Sequence, residues 1–304
     1  MKLTFYISLC IAVLTVGAFS QNKKTTATPK PPQDKSKMPD LSAADLDKIE
    51  KALPAKATAA PKSARKILVF WRCEGFFHGS GIVAGNKAIE LMGTKTGAYT
   101  VDFSRDYDVF DAANLAKYDA VILDNTTRLK LSSAQQQTLL AFVHSGKGLI
   151  GIHAATDNFH EQNEKECAKM MGGVFCDHPW GGGGTWAFKI DEPNHTLTKA
   201  FDGKGFKLKD EIYQFKDPYT RADRRVLLSL DLSDEATGKV QPKAPRADKD
   251  YAVSWIKKEG KGRIFYCSLG HASNVFQNPT ILKYYLDGIQ YALGDLAADA
   301  TPKP

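Results

Sequence analysis

The chain has 304 residues, 43% hydrophobic and 25% charged, the balance of an ordinary globular protein with room for one large domain or two small ones. Its formal net charge is +7, but the 10 Lys+Arg and 5 Asp+Glu of residues 21–65 supply +5 and Lys2 another +1, so residues 66–304 carry only +1. A nearly neutral domain lacks the concentrated basic surface that nucleic acid requires, which removes nucleic acid as a partner.

The first twenty residues have the pattern of a secretory signal peptide. Lys2 gives a short positive start, Ile7 to Val16 is an apolar run too short to span a bilayer, and Ala18-Phe19-Ser20 places small residues for a cut after Ser20. Cys10 lies inside the apolar run, not at its end, which argues against a lipoprotein cut. The pattern predicts an exported, periplasmic or extracellular, protein with no stable membrane insertion after cleavage; a retained anchor is the alternative.

Residues 21–40 are Lys/Thr/Pro-rich and poor in large apolar side chains, the composition of a disordered tail. Within the 21–65 segment, "LSAADLDKIEKALP" predicts a short helix over 42–53. Ser42 caps it, Asp45 follows at capping-box spacing, Pro54 stops it, and Leu46, Ile49 and Leu53 form a stripe for docking. "AKATAAPKSAR" reads as a linker.

From Lys66 strands and helices alternate. "KILVFW" is an apolar run typical of a parallel strand covered on both faces. A helix over 82–95 follows, then strands "YTVDFS" and "YDAVILDN", a helix in "LSSAQQQTLLAFVHSG" capped by Ser132 or Ser133, and the strand "GLIGIH", after which another helix is expected. This order implies a twisted parallel sheet with helices on both faces. The second half holds the strands "TWAFKI", "EIYQF", "RVLLSLDL", "YAVSWIKK" and "GRIFYCSL" with few helices between, which extend the sheet or form an antiparallel excursion. "NPTILKYYLDGIQYALG" is a closing helix with Pro279 in its first turn, and 295–304 reads as a disordered end.

In such sheets, ligands bind beyond the carboxyl ends of the strands. His78 follows the first strand, His153 ends "GLIGIH" and His271 ends "GRIFYCSLGH", so three strands deliver a histidine to one edge. Asp157, four residues past His153, is a candidate substrate contact. His178 precedes "PWGGGGTW", whose four glycines permit close ligand approach, a mobile lid or a plain surface turn. Trp180 and Trp186 beside them offer flat faces for a sugar. Glu211 and Tyr213 share one strand face in "KDEIYQF", and a carboxylate entering an apolar strand is an acid/base candidate, unless it lies at a solvated strand edge. His144 lies in a last helical turn and His195 in a loop, both structural positions. Cys73, Cys167, Cys176 and Cys267 show no CxxC and read as small buried hydrophobes, with Cys167–Cys176 the pair nearest in sequence. No GxSxG, Walker A or GxGxxG motif is present, so no nucleotide is expected.

"GKGLIGIHAATD", "NHTLTKAF", "KDEIYQF" and "YAVSWIKKEGKGRIFYCSLGH", ending in "YYLDGIQYALG", together resemble the ThuA-like (trehalose utilisation) family over about residues 66–294. The resemblance implies a class I glutamine amidotransferase-like fold, a three-layer flavodoxin-like α/β sandwich with a mostly parallel sheet. Where true amidotransferases carry a nucleophilic cysteine at the strand-to-helix turn, this sequence has His153, so glutaminase activity is not expected. The implied role is utilisation of a saccharide, trehalose-like or a 3-keto disaccharide. His153, Glu211 and His271 are the expected catalytic groups, His153 as base and Glu211 as acid. His78, His178, Trp180, Trp186, Asp157 and Tyr213 are the expected substrate contacts. If a divalent metal is present, His78, His153, His178 and His271 are its candidate ligands. Imidazole plus carboxylate suits zinc or a similar ion, but no HxH or HExxH spacing points to one. A sugar-binding or scaffolding module without catalysis is the alternative, and nothing in the sequence sets an oligomeric state.

Overall fold

The computed structural model describes residues 37–303. The expected signal peptide and the tail up to residue 36 lie outside the described residues. In chain order the elements are α1 (Ala43–Ala52), β1 (Lys66–Phe70), α2 (Gly79–Thr96), β2 (Thr100–Ser104), α3 (Ala112–Leu115), β3 (Ala120–Asp124), α4 (Ser133–His144) and β4 (Gly148–Ile152). They continue through α5 (Lys165–Met171), β5 (Val174–Trp180), β6 (Thr185–Ile190), β7 (Phe206–Lys209), β8 (Ile212–Lys216), β9 (Arg225–Leu230), α6 (Glu235–Gly238), β10 (Ala252–Glu259), β11 (Gly262–Cys267) and α7 (Pro279–Ala292).

Nine strands form one sheet in the order β2-β1-β3-β4-β11-β10-β9-β6-β7. From β2 to β11 every pairing is parallel; from β11 to β7 every pairing is antiparallel. The rougher second half of the sequence therefore extends the sheet. β5 and β8 leave it and pair with each other as a separate antiparallel ribbon.

The apolar runs serve two layers at once, because successive strand side chains point to opposite faces. Ile67 and Val69 of β1, with Phe265 of β11, pack in one core with Ile89 of α2 and Ile289 of α7. Leu68 and Phe70, with Ile264 and Tyr266, pack in the other core with Leu139 and Val143 of α4. The result is the three-layer α/β sandwich the sequence implied. Helix ends follow their local signals: Ser132 and Gln135 form a full capping box on α4, and Pro279 opens α7 behind the Asn278 cap.

Three expectations are corrected. The segment after α1 is not a loose linker: the backbone N–H groups of Thr58 and Ala59 both donate to Gln290 Oε1, at 2.8 and 3.2 Å, and the Thr58 hydroxyl bonds Asp287. α1 itself buries Ile49 and Ala52 in the main core. The C-terminal residues are packed rather than disordered. Asp295 accepts a 2.6 Å bond from Arg65, Asp299 one of 2.6 Å from Arg225, and Ala300 is buried. Both segments are poor in large apolar side chains, so composition alone hides their ionic and backbone contacts. Finally, β4 leads not into a helix but into a 3-10 turn, His153–Thr156, and α5 starts only at Lys165. The four cysteines among the described residues are free; Cys73, Cys167 and Cys267 are buried, whereas Cys176 is exposed. No helix among the described residues is long and apolar enough to cross a membrane.

Candidate active site

The carboxyl edge of the sheet gathers histidines from three strands. β1 runs through a loop to His78, which stands at the N-terminus of α2 and is buried. β4 ends at His153, 0% exposed, whose φ of 45° places a non-glycine residue in the left-handed region. Such strained positions cost about 1–3 kcal/mol and persist where the surroundings over-determine them. β11 ends at Cys267, and beyond Ser268 the chain turns at Gly270, with φ 135°, bringing His271 to Glu211 at the same edge. The ribbon supplies the fourth member: Glu211, just before β8, with Tyr213 two residues on along the same face.

Glu211 is the hub. One carboxylate oxygen lies 3.6 Å from His153 Nε2 and 3.4 Å from His271 Nδ1; the other lies 3.5 Å from His178 Nδ1. His78 stands edge-on to both inner imidazoles, with ring centroids 4.8 Å from His153 and 5.1 Å from His271. Tyr213 lies 4.5 Å from the His153 ring, and its hydroxyl is 3.5 Å from His78 Nε2. One possible ligand atom each from His78, His153, Glu211 and His271 fall within 4.8 Å of one another. These four could hold a metal; His178, on the sequence's list of ligands, stays outside on the second oxygen of Glu211.

A ring of hydrogen bonds fixes this arrangement. His153 Nδ1 donates to the Ser268 carbonyl at 2.7 Å, and Tyr266 donates its hydroxyl to the His153 carbonyl at 2.7 Å. The buried Asp210 carboxylate accepts from the backbone N–H of Gly270 at 2.8 Å and of His271 at 3.1 Å. The Tyr213 N–H donates to Ser268 Oγ. Sequence reasoning passed over Ser268 and Tyr266. The one local clue was "CSLGH", where a glycine precedes the histidine.

Electrostatics set the protonation pattern. Burial pushes the Glu211 carboxyl up, but the adjacent imidazoles of His153 and His271 outweigh it and hold the group well below the usual carboxylate range. Burial, then repulsion from His153 and His271, lowers His78 to about 2, so it is neutral. His271 loses charge to burial and regains more from Glu211, ending above its ordinary value. Asp210 is raised to about 6, mainly by burial.

Other expected contacts fall elsewhere. Trp180 is 1% exposed; its indole N–H bonds the Thr237 carbonyl at 3.1 Å and its ring meets Tyr251 edge-on. It is a core residue with no face for a sugar, because β5 turns that side chain inward. The half-buried Trp186 directs its N–H to the carbonyls of Gly181 and Asp210, at 3.1 and 3.0 Å. Its ring lies against Gly184, where a Cβ would approach to 2.0 Å. At Gly182 a Cβ would sit 3.1 Å from the His271 ring. Gly182 and Gly184 thus admit the protein's own His271 and Trp186 rings, whereas a Cβ at Gly181 or Gly183 would meet nothing within 4 Å. Asp157 is engaged by Arg128 at 2.9 Å and His160 at 2.8 Å. The exposed aromatic at the site was missed: Phe76, 65% exposed, stands 4.7 Å from the His78 ring. His144 and His195 are structural, on Glu259 and on the Asp299 carbonyl.

The profile of the ThuA family, described as trehalose utilisation, matches residues 66–292. Among solved structures, a ThuA-like protein of Bacteroides uniformis aligns at TM-score 0.61 and 21% identity, covering 79% of this chain and 94% of its own. A ThuA-like protein of Parabacteroides merdae aligns at 0.57 and 17% identity, covering 78% and 93%. Both likenesses concern the fold. No curated protein matches the sequence.

Proposed function

This chain belongs to the ThuA (trehalose utilisation) family, and from that premise we propose that it is an exported enzyme acting on a saccharide, trehalose-like or a 3-keto disaccharide, by acid–base chemistry at the His/Glu cluster. The observation that carries the proposal is the meeting of three buried or half-buried imidazoles and one carboxylate at the edge where α/β sheets bind ligands. Export rests on the leader pattern of residues 1–20.

A 3-keto sugar has an acidified hydrogen on the carbon next to its carbonyl. Removing it places the electron pair in an enolate, which donors around the carbonyl oxygen stabilise. Collapse of the enolate expels the oxygen on the adjacent anomeric carbon, which takes up a proton from an acid. On this reading the duties fall differently from the sequence expectation. His153 is sealed from solvent and has one nitrogen committed to Ser268. His178 has a side chain 52% exposed and touches Glu211, so it is the imidazole placed to exchange protons with substrate and solvent. The partly exposed His271 is then the imidazole placed to donate to the carbonyl oxygen, with the buried His78 and His153 behind it, and Phe76 lines the entrance. No group here forms an acyl-enzyme: the strand-end position is an imidazole, and burial raises the nearby Cys73 thiol to about 11. Glutamine is not a substrate on this reading.

The test is exchange and turnover of 3-keto-trehalose and trehalose in deuterated buffer, followed by NMR. Deuterium at the carbon next to the carbonyl, or release of the second sugar, is expected, with a loss of about 10²-fold or more in His178→Ala. Binding without exchange or turnover would make the chain a sugar-binding module; neither binding nor turnover would overturn the saccharide reading.

A further inference from the structure

We propose that His78, His153, Glu211 and His271 form a binding site for one first-row divalent cation of the zinc type. The proposal rests on reading this cluster as the functional site and names the cofactor it would use.

The spacing is that of a coordination sphere. With metal–ligand bonds of about 2.1 Å, neighbouring donors of a tetrahedral site are about 3.4 Å apart. His153 Nε2 and His271 Nδ1 lie 3.6 and 3.4 Å from the same Glu211 oxygen. Those separations are long for hydrogen bonds and fit the edges of a tetrahedron. The four donor atoms lie within 4.8 Å of one another, so small inward movements of the side chains complete the set.

The polar atoms need a cation. His153 Nδ1 must carry a hydrogen, because its partner at 2.7 Å is the Ser268 carbonyl oxygen, which can only accept. In the neutral imidazole, Nε2 is then a bare lone pair aimed at the Glu211 carboxylate, also an acceptor. Two acceptors facing each other in a buried site repel unless a positive charge lies between them. His153 Nε2, His78 Nδ1 and His271 Nδ1 are all without a hydrogen-bond partner. A buried polar atom without a partner costs about 1–3 kcal/mol. A proton can join one of these nitrogens to Glu211, whereas a divalent ion satisfies several donors together.

The support around the cluster matches what metal histidines use. A ligating imidazole nearly always donates its other N–H to a carbonyl or carboxylate, which fixes the tautomer and the ring plane. Ser268 does this for His153, and Asp210 pins the backbone of His271 through two N–H bonds. Three imidazoles with one carboxylate suit zinc, nickel or iron better than calcium, magnesium or manganese, which favour oxygen ligands. His178, on the second Glu211 oxygen, lies on the solvent side, and an ion held by the four donors would polarise a sugar oxygen as a Lewis acid only by accepting it as a fifth ligand.

The purified full-length protein, stripped with chelator and dialysed, is titrated with Zn²⁺ against a chromophoric competitor, with elemental analysis after gel filtration. One equivalent per chain and a melting temperature several degrees higher on loading are expected. His271→Ala and Glu211→Gln should each weaken Zn²⁺ at least about 100-fold, whereas His178→Ala should remain within a few-fold of the parent. Co²⁺ bound in place of zinc should give a visible absorption band that His271→Ala abolishes. Circular dichroism confirms that each variant is folded. Less than half an equivalent bound to the parent, or parent-like affinity in both folded His271→Ala and Glu211→Gln, would overturn the site. Those readouts need no substrate. Turnover of a saccharide by rigorously metal-free protein would refute the cofactor and leave the saccharide reading intact.

Discussion

His153 Nδ1 lies 2.7 Å from the carbonyl oxygen of Ser268, and this one bond joins the ends of two adjacent parallel strands, β4 and β11, while turning the other imidazole nitrogen toward Glu211. Position and protonation of the central histidine are thus set by the same contact. His153→Ala should therefore affect both stability and function. It leaves the buried Ser268 carbonyl unpaired, at about 1–3 kcal/mol, and keeps the left-handed φ, since alanine also carries a Cβ, so the melting temperature should fall by a few degrees. Ligand binding by the fraction still folded should be lost. A variant that melts like the parent, or one that binds like it, contradicts this account.

Phe76 offers a site for specificity at the rim. It is exposed and edge-on to His78 without belonging to the polar cluster. Phe76→Ala should raise KM several-fold with kcat and melting temperature nearly unchanged, the pattern of lost binding that is uniform along the reaction. Equal losses in kcat would place Phe76 in the chemistry instead.

Trp180 should respond in the opposite way. It is sealed in the core and hydrogen-bonded to Thr237. Trp180→Ala should cost about 3–5 kcal/mol, visible in chemical denaturation, and saccharide affinity should fall only as far as the folded population does. A stable Trp180→Ala protein with weak saccharide affinity would restore the sugar-stacking role.

The segment before β1 should be required for stability. A chain starting at Lys62 loses Ile49 and Ala52 from the core and strips Gln290 and Asp287 of Thr58 and Ala59. It should aggregate or melt well below a chain starting at Lys37, which keeps every described contact. Identical melting of the two would show that α1 contributes nothing to the fold.

Asp124 gives a pH signature. It is fully buried at the end of β3, and burial raises its carboxyl to about 8, with a smaller opposing pull from the Asn125 amide. A carboxyl raised above its unfolded value of 3.8 favours folding while protonated, so its contribution is complete below pH 4 and lost as pH rises through about 8. Between pH 5 and 9 the melting temperature of the parent should decline more than that of Asp124→Asn. Parallel curves would show that Asp124 does not titrate in this range.

The sequence by itself determined what local rules control. Continuous apolar runs marked strands covered on both faces, because alternate side chains must feed two cores. Ser132 or Ser133 and Pro279 marked helix starts, because backbone N–H groups there need a nearby partner or none, and the fold took Ser132 as the cap. Three strand ends carrying histidines marked the edge of the sheet that bears the candidate site. Only the tertiary structure decided which of the other candidates reach that edge. Glu211 arrives there because β8 leaves the main sheet to pair with β5, a choice made by contacts far apart in sequence. The same ribbon points Trp180 into the core, and alternation along an irregular strand, with register shifts between Phe175, Asp177 and Trp180, could not fix its face. Thr58 and Asp299 lie in segments whose composition suggests disorder, yet they are held by Asp287 and Arg225, more than seventy residues away in sequence. Such contacts leave no local period or motif, since each depends on where the folded chain brings a distant partner.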